Sequence, residues 1–453
     1  MNAIADYPHS RLSRRLLVLS FCSAALIQCV QVDSGEEPAV KTWGDAERIS
    51  DIGNVPRVAI DTNGDTIAVW ARRRTDVPSA WQVWSRRHDG VWDALSLVSD
   101  ADLLGDIRSR QVSLHPSGNA VVVWDQSDGT RYDIWSNRFT PAGGWGKAER
   151  IEADDRGDAN SPDEAMDLEG NVVAVWHQSD GVRFGIWSTR YSSGGGWGTA
   201  ERIATDTAGD ARDPRVAMSP SGDASAVWRQ SDGMRDDIWS NRYTASGGWG
   251  RAERIGTDSG GGALAPQIVM DADGNALTVW QQSDGTRYSI WSNRYSPAGG
   301  WAAAEIIETS DAGDALDPRV AMEPSGSAVA VWEQFDGSTF DIWSNRYEEG
   351  WSIPELVETN DAGDATNPKV AMGPDRSAVS VWKQFDGSSQ SIWSNRLTER
   401  RGWGTAEQIN VPCSGNLYVS DVAMDLDGNA VAAWSIAIGW GDPCHGIWTN
   451  RME

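Results

Sequence analysis

The chain has 453 residues, with 65 acidic against 39 basic side chains, a formal charge of −26, and 26 Trp against only 6 Phe. An acidic excess of this size argues against a nucleic-acid partner, whose phosphates must be met by clustered Lys and Arg. It argues equally against unassisted adsorption to an anionic membrane and reads as a self-repelling, soluble surface.

In chain order, the first feature is a leader. Arg11, Arg14 and Arg15 precede an apolar run of 15 residues from Leu16 to Val30, too short to cross a bilayer comfortably. Leu26-Ile27-Gln28-Cys29 resembles a bacterial lipoprotein box, in which Cys29 is lipidated, although Gln28 stands where that pattern prefers a small residue. Residues 1–29 are therefore expected to be an export signal, with lipidation of Cys29 and ordinary cleavage both open. Residues 30–40 read as an acidic tether. The expected location is secreted or cell envelope, with any membrane attachment made only through a lipid anchor. Export implies an oxidising compartment, in which Cys413 and Cys444, 31 residues apart, are free to pair.

From residue 41 onward the chain repeats itself about every 52 residues. The unit Pro214 to Trp228 is followed by Gln-Ser-Asp-Gly, then by Ile238-Trp-Ser-Asn-Arg-Tyr, then by a block around Trp249. Its four short Val-, Ile- and Trp-rich segments read as strands A to D, with Gly, Asp, Asn and Ser supplying the turns. Trp recurs once on each of strands B, C and D. On strand B the set is Trp70, Trp124, Trp176, Trp228, Trp280, Trp332, Trp382 and Trp434. The sequence opens on a lone D strand around Trp43 and ends on a unit with A, B and C but no D. The prediction is an all-β, eight-bladed β-propeller of four-stranded antiparallel blades over 41–453, closed by the N-terminal strand completing the last blade. The in-register tryptophans are expected to fill the space between blades. Arg138, Arg190, Arg242 and Arg294 on strand C are expected to pair with Glu149, Glu201, Glu253 and Glu305 on strand D as a charge ladder.

These Trp-rich repeats resemble those of bacterial secreted β-propeller proteins, loosely of the sialidase and Asp-box type, over about residues 41–453. The Asp-box pattern is not met: Ser246 to Gly250 has its Gly and Trp but lacks its Asp and Thr. Eight Trp-bearing blades also resemble the propellers of quinoprotein dehydrogenases, whose cofactor and metal motifs have no match here. Such a likeness implies a fold and not a function.

No catalytic motif stands out, and eight similar blades offer copies of one set of groups where an active site needs different groups to converge. The chain is accordingly expected not to be an enzyme but a binding or scaffold module for an extracellular glycan or protein. The alternative is a sialidase-like glycoside hydrolase with its site at the central channel. It would use Arg57, Arg215 and Arg319, which share one strand-A position, and Tyr418. That position holds Gln111, Asp163, Gln267, Lys369 and Asp421 in the other blades, a scatter that packing around a polar channel would also give. No cofactor is implied, and Ca²⁺ is the one metal considered, at Asp158, Asp210, Asp314 and Asp364 and at Asp128, Asp180, Asp232, Asp284, Asp336 and Asp386. Turn capping explains the same carboxylates.

The repeat breaks at blades 1 and 8, which closure makes neighbours. Trp81 and Trp440 fall outside the repeating set, Arg72, Arg73 and Arg74 replace the Gln-x-Asp-Gly turn in blade 1, and blade 8 has His445 beside Cys444. Two readings stay open: these residues form a ligand patch, or they staple the ring shut with a Cys413–Cys444 disulfide.

Overall fold

The computed structural model describes residues 41–453 except 78–79, 101, 103–104, 153–155, 206–207, 258–259, 311, 360–362, 386, 414 and 439–441. The expected export signal, tether and Cys29 fall outside the described residues, as do Asp386 and Trp440.

Apolar segments of seven to nine residues, cut by turns such as Asp128-Gly129 with its φ of 98° at Gly129, fold into eight separate antiparallel sheets. Within each sheet the strands run A–B–C–D, and D is reduced to short pieces such as Gly144–Trp145 and Glu149–Arg150. The eight A strands are Asn54–Ile60, Ile107–Leu114, Ala159–Met166, Ala211–Met218, Ala263–Met270, Ala315–Met322, Ala365–Met372 and Asn416–Met424. Each is the inner edge of its blade and lies beside the A strands of the blades before and after it, so together they line the central channel. In the last blade Glu47–Ser50 pairs with Gly446–Met452, and Trp43 bridges Met452. The ring is closed by its first strand.

Tryptophan packing follows strand position. All eight strand-B indoles are at most 1% exposed, because B is an inner strand with a blade on either side. At roughly 200 Å² each and about 25 cal/mol per Å², each contributes on the order of 5 kcal/mol gross. Most C and D indoles, such as Trp135 and Trp145, are half-buried and pack against the same clusters from the outside. The expected uniform core packing is thus strongest on B.

A motif whose sequence suggests only a turn has a second task. In blades 2 to 7 the Gln two residues after the strand-B Trp accepts its indole N–H, from Trp124 to Gln126 at 2.9 Å through Trp382 to Gln384 at 2.8 Å. The charge ladder, by contrast, is corrected. Glu149 pairs with Ser136, two residues before Arg138, and Glu149, Glu201, Glu253 and Glu305 are exposed. The strand-C arginines instead cross to the next blade and stack on its aromatic ring: Arg138 over Tyr191 at 4.6 Å, Arg190 over Tyr243 at 5.6 Å, Arg242 over Tyr295 at 3.8 Å and Arg294 over Tyr347 at 4.7 Å. Blade 6 does hold the expected pair, Arg346 with Glu355 at 2.6 Å.

Candidate functional site

The repeated X-Pro dipeptide on strand A builds the channel wall. Val55, Ser161, Asp213, Ala265, Asp317 and Asn367, each followed by Pro, have φ between 42° and 58° and sit in a β-bulge. Proline is tolerated there because a bulge frees its position from the ladder. The bulge N–H is used between blades: Asn367 donates to Glu333 Oε1 at 2.7 Å, Asp317 to Gln281 Oε1 at 2.8 Å and Ser161 to Asp125 Oδ2 at 3.1 Å. Backbone held at positive φ in non-glycine residues costs on the order of 1 kcal/mol each and persists where surrounding contacts fix it.

Two residues after the bulge comes one side chain from each blade at a single level of the channel. These are Arg57, Gln111, Asp163, Arg215, Gln267, Arg319, Lys369 and Asp421, all in equivalent register with strand B. Arg57 Nε donates to Gln111 Oε1 at 3.1 Å, and Gln111 Nε2 donates to Asp163 Oδ1 at 2.8 Å. Asp163 also accepts Val216 N–H at 2.9 Å, and Asp421 accepts Val58 N–H at 3.1 Å. The other cations are bound differently. Arg215, Arg319 and Lys369 each donate to the carbonyl of the proline just before them, at 3.1, 2.8 and 3.2 Å.

This belt sets four cations against two carboxylates. Among the described residues no carboxylate stands within ion-pair distance of Arg319 or Lys369. Burial, with the fields of Arg215 and Arg57, lowers the Arg319 guanidinium below its ordinary value, only partly offset by Asp317 and Glu333. Burial, then Arg319 and Arg57, pushes the Lys369 ammonium well below its usual range. Burial raises Asp163 and Asp421 although the nearby arginines oppose it. A like-charged, desolvated cluster of this kind lowers its energy by taking up an anion.

Beside the belt, Glu164 occupies the position where the other seven blades carry Val or Ile. It accepts the Ser113 hydroxyl at 2.6 Å, leaves Oε2 without a partner, and is pushed up to about 8 by burial.

The seam residues are placed as follows. Cys413 and Cys444 are joined in a disulfide, with 6.1 Å between their Cα atoms. Arg48 Nη1 donates to Pro443 O at 2.9 Å, and Ile438 N–H reaches His445 Nδ1 at 3.2 Å. Arg72 lies 3.6 Å from Asp51 and over the Trp84 ring. Arg73 is opposite Trp81 in the ladder and so shares its face, the face away from Arg72. Trp81 packs on the apolar cluster that blade 1 shares with blade 2, and Arg74 is held by Asp76 at 2.6 Å. The blade 8–blade 1 seam is crossed by bonds such as Arg451 to Gly64 O at 3.2 Å, the disulfide packs instead on the cluster shared by blades 7 and 8, and Trp81 and Arg73 turn away from the seam.

The Asp-rich loops are engaged in turns. Asp128, Asp180, Asp232, Asp284 and Asp336 each accept the N–H groups two and three residues on. The Thr130 hydroxyl and these N–H groups hold Asp128 at about 2. Asp158, Asp210, Asp314 and Asp364 accept N–H groups at the start of strand C in the preceding blade, at 2.8 to 3.1 Å. Among the described residues no three His, Cys, Asp or Glu side chains are grouped to hold a metal ion.

No family model and no curated protein matches the chain. Solved structures do. A puromycin hydrolase variant aligns with a TM-score of 0.51 at 15% identity, over 85% of this chain and 58% of the hydrolase. The intramolecular trans-sialidase of Ruminococcus gnavus aligns at 0.43 and 12% identity, over 78% and 96%. An α-L-arabinofuranosidase of Fusarium graminearum aligns at 0.41 and 13%, over 66% and 95%. At such identities the likeness extends to the propeller fold alone. It nevertheless corrects the expectation that the chain is not an enzyme. A structure named as a hydrolase shares the propeller fold, so a ring of similar blades is no ground for excluding catalysis.

Proposed function

We propose that the protein binds a carboxylate-bearing ligand, an acidic glycan of the extracellular space, on the channel belt of Arg57, Arg215, Arg319 and Lys369. One observation carries this reading: in a chain of formal charge −26, four cations and only two carboxylates meet at one level of the channel. Arginine's planar fork suits a carboxylate's two oxygens. The identification with a glycan comes from the sequence expectation and not from the belt, which selects for charge.

The belt also holds two carboxyl groups, which supports a second reading, glycoside cleavage with Asp163 and Asp421 as the acid and base pair. One experiment separates the readings. Arrayed sialylated, uronate-bearing and neutral glycans are probed for binding, and fluorogenic glycosides of the same acids for turnover. Binding is expected to favour acidic glycans, weaken with salt, and fall at least about tenfold in Arg319→Gln, which removes one charge-assisted pair. Equal retention of neutral glycans would sink the channel reading. Turnover abolished by Asp163→Asn or Asp421→Asn supports the enzyme.

A further inference from the structure

The chain uses arginine for nearly every cation. Of its 39 basic residues only Lys41, Lys147, Lys369 and Lys383 are lysines. One of these four stands in the channel belt, in the register that blades 1, 4 and 6 fill with Arg57, Arg215 and Arg319. For holding an oxyanion, a fourth arginine would serve better. What lysine alone adds is an amine able to lose its proton.

The surroundings favour that loss. Lys369 Nζ makes one hydrogen bond, to Pro368 O at 3.2 Å. Among the charged groups whose fields reach it, Arg319 and Arg57 oppose its charge, and Asp421, Asp317 and Glu333 favour it. Burial is the largest influence and sides with the arginines, so the ammonium sits well below its ordinary range. A desolvated lysine beside other cations is a known way to obtain a neutral, nucleophilic amine.

We propose that Lys369 forms an imine with the carbonyl carbon of a small keto or aldehydo acid whose carboxylate lies on the neighbouring belt arginines. The amine lone pair forms the C–N bond as the carbonyl π bond opens onto oxygen. A proton moves from nitrogen to that oxygen, giving the carbinolamine. Nitrogen then forms the C=N bond as the hydroxyl departs with a second nitrogen proton as water. Amine and carbonyl become imine and water, and no oxidant or other reactant enters. Placement of the carboxylate rests on the anion-binding reading above; reactivity of the amine does not.

The test uses the full chain at neutral pH with pyruvate as probe and cyanoborohydride as trap, followed by peptide mass mapping of all four lysines. Lys369 is expected to carry the reduced adduct at least tenfold above Lys41, Lys147 and Lys383. The adduct is expected to vanish from that peptide in Lys369→Arg, which keeps the belt charge. Propanal, which has no carboxylate, is the second probe. Preference for pyruvate over propanal supports both halves of the proposal. Equal labelling by the two removes the carboxylate contact and the anion-binding reading with it, while leaving the reactive amine. Labelling spread evenly over the four lysines, or none at Lys369, overturns the proposal even if acidic glycans bind.

Discussion

Blades 2 to 7 and the seam between blades 8 and 1 solve the same packing problem with different groups. In blades 2 to 7 every strand-B indole N–H is met by a Gln two residues on. In blades 1 and 8 that position holds Arg72 and Ile436, and the N–H groups of Trp70 and Trp434 are buried without a partner. A buried donor left unmet costs roughly 1–3 kcal/mol. Side-chain bonds do cross the seam: Arg451 donates to Thr66 Oγ1 at 2.6 Å and Gly64 O at 3.2 Å, and Arg86 to Ile49 O at 3.2 Å. Regular blades meet the indole with a repeated Gln, whereas at the seam Arg72 and Ile436 stand in its place and the indole goes unmet.

Two variants break or sharpen that contrast. The larger effect belongs to the disulfide. Cys413→Ser with Cys444→Ser opens a loop of 31 residues and is expected to lose about 3–4 kcal/mol in denaturant unfolding. An unchanged midpoint would mean that blade 8 does not depend on the bridge in its loops. The smaller effect is in a regular blade. Gln230→Met leaves the Trp228 indole as unmet as those at the seam, and a loss of about 1–3 kcal/mol is expected from the same unfolding curve. A neutral result would show that the Gln serves the turn alone.

The ring is legible in the sequence because its signals are local and periodic: Trp124, Trp135 and Trp145 repeat in register with their blade-mates, and the orphan strand at Trp43 implies closure. Contacts between blades are not legible. Hairpin spacing matches Arg138 to Glu149, yet Arg138 reaches Tyr191, 53 residues away, because strand-C side chains on one face meet the next blade. The belt position is visible as a mixed set of residues, but its charge imbalance only has meaning once eight side chains share one level. Asp213-Pro214 marks the bulge that places Arg215 there, a signal that the strand pattern around it masks. The break in the repeat correctly locates the seam. Trp81, however, faces blade 2, because the strand pleat that sends Arg72 toward blade 8 sends Arg73 and Trp81 the other way.

Calorimetric titration at low ionic strength with glucuronate and, in parallel, glucose tests the central claim most directly. The channel belt is expected to take up the acid and ignore the neutral sugar. In the doubly substituted Arg215→Gln, Arg319→Gln protein, which lacks two charge-assisted pairs to the ligand, uptake is expected to fall by at least about a hundredfold. Equal heats from both sugars, or an unchanged affinity in that variant, would contradict a ligand held by the channel cations.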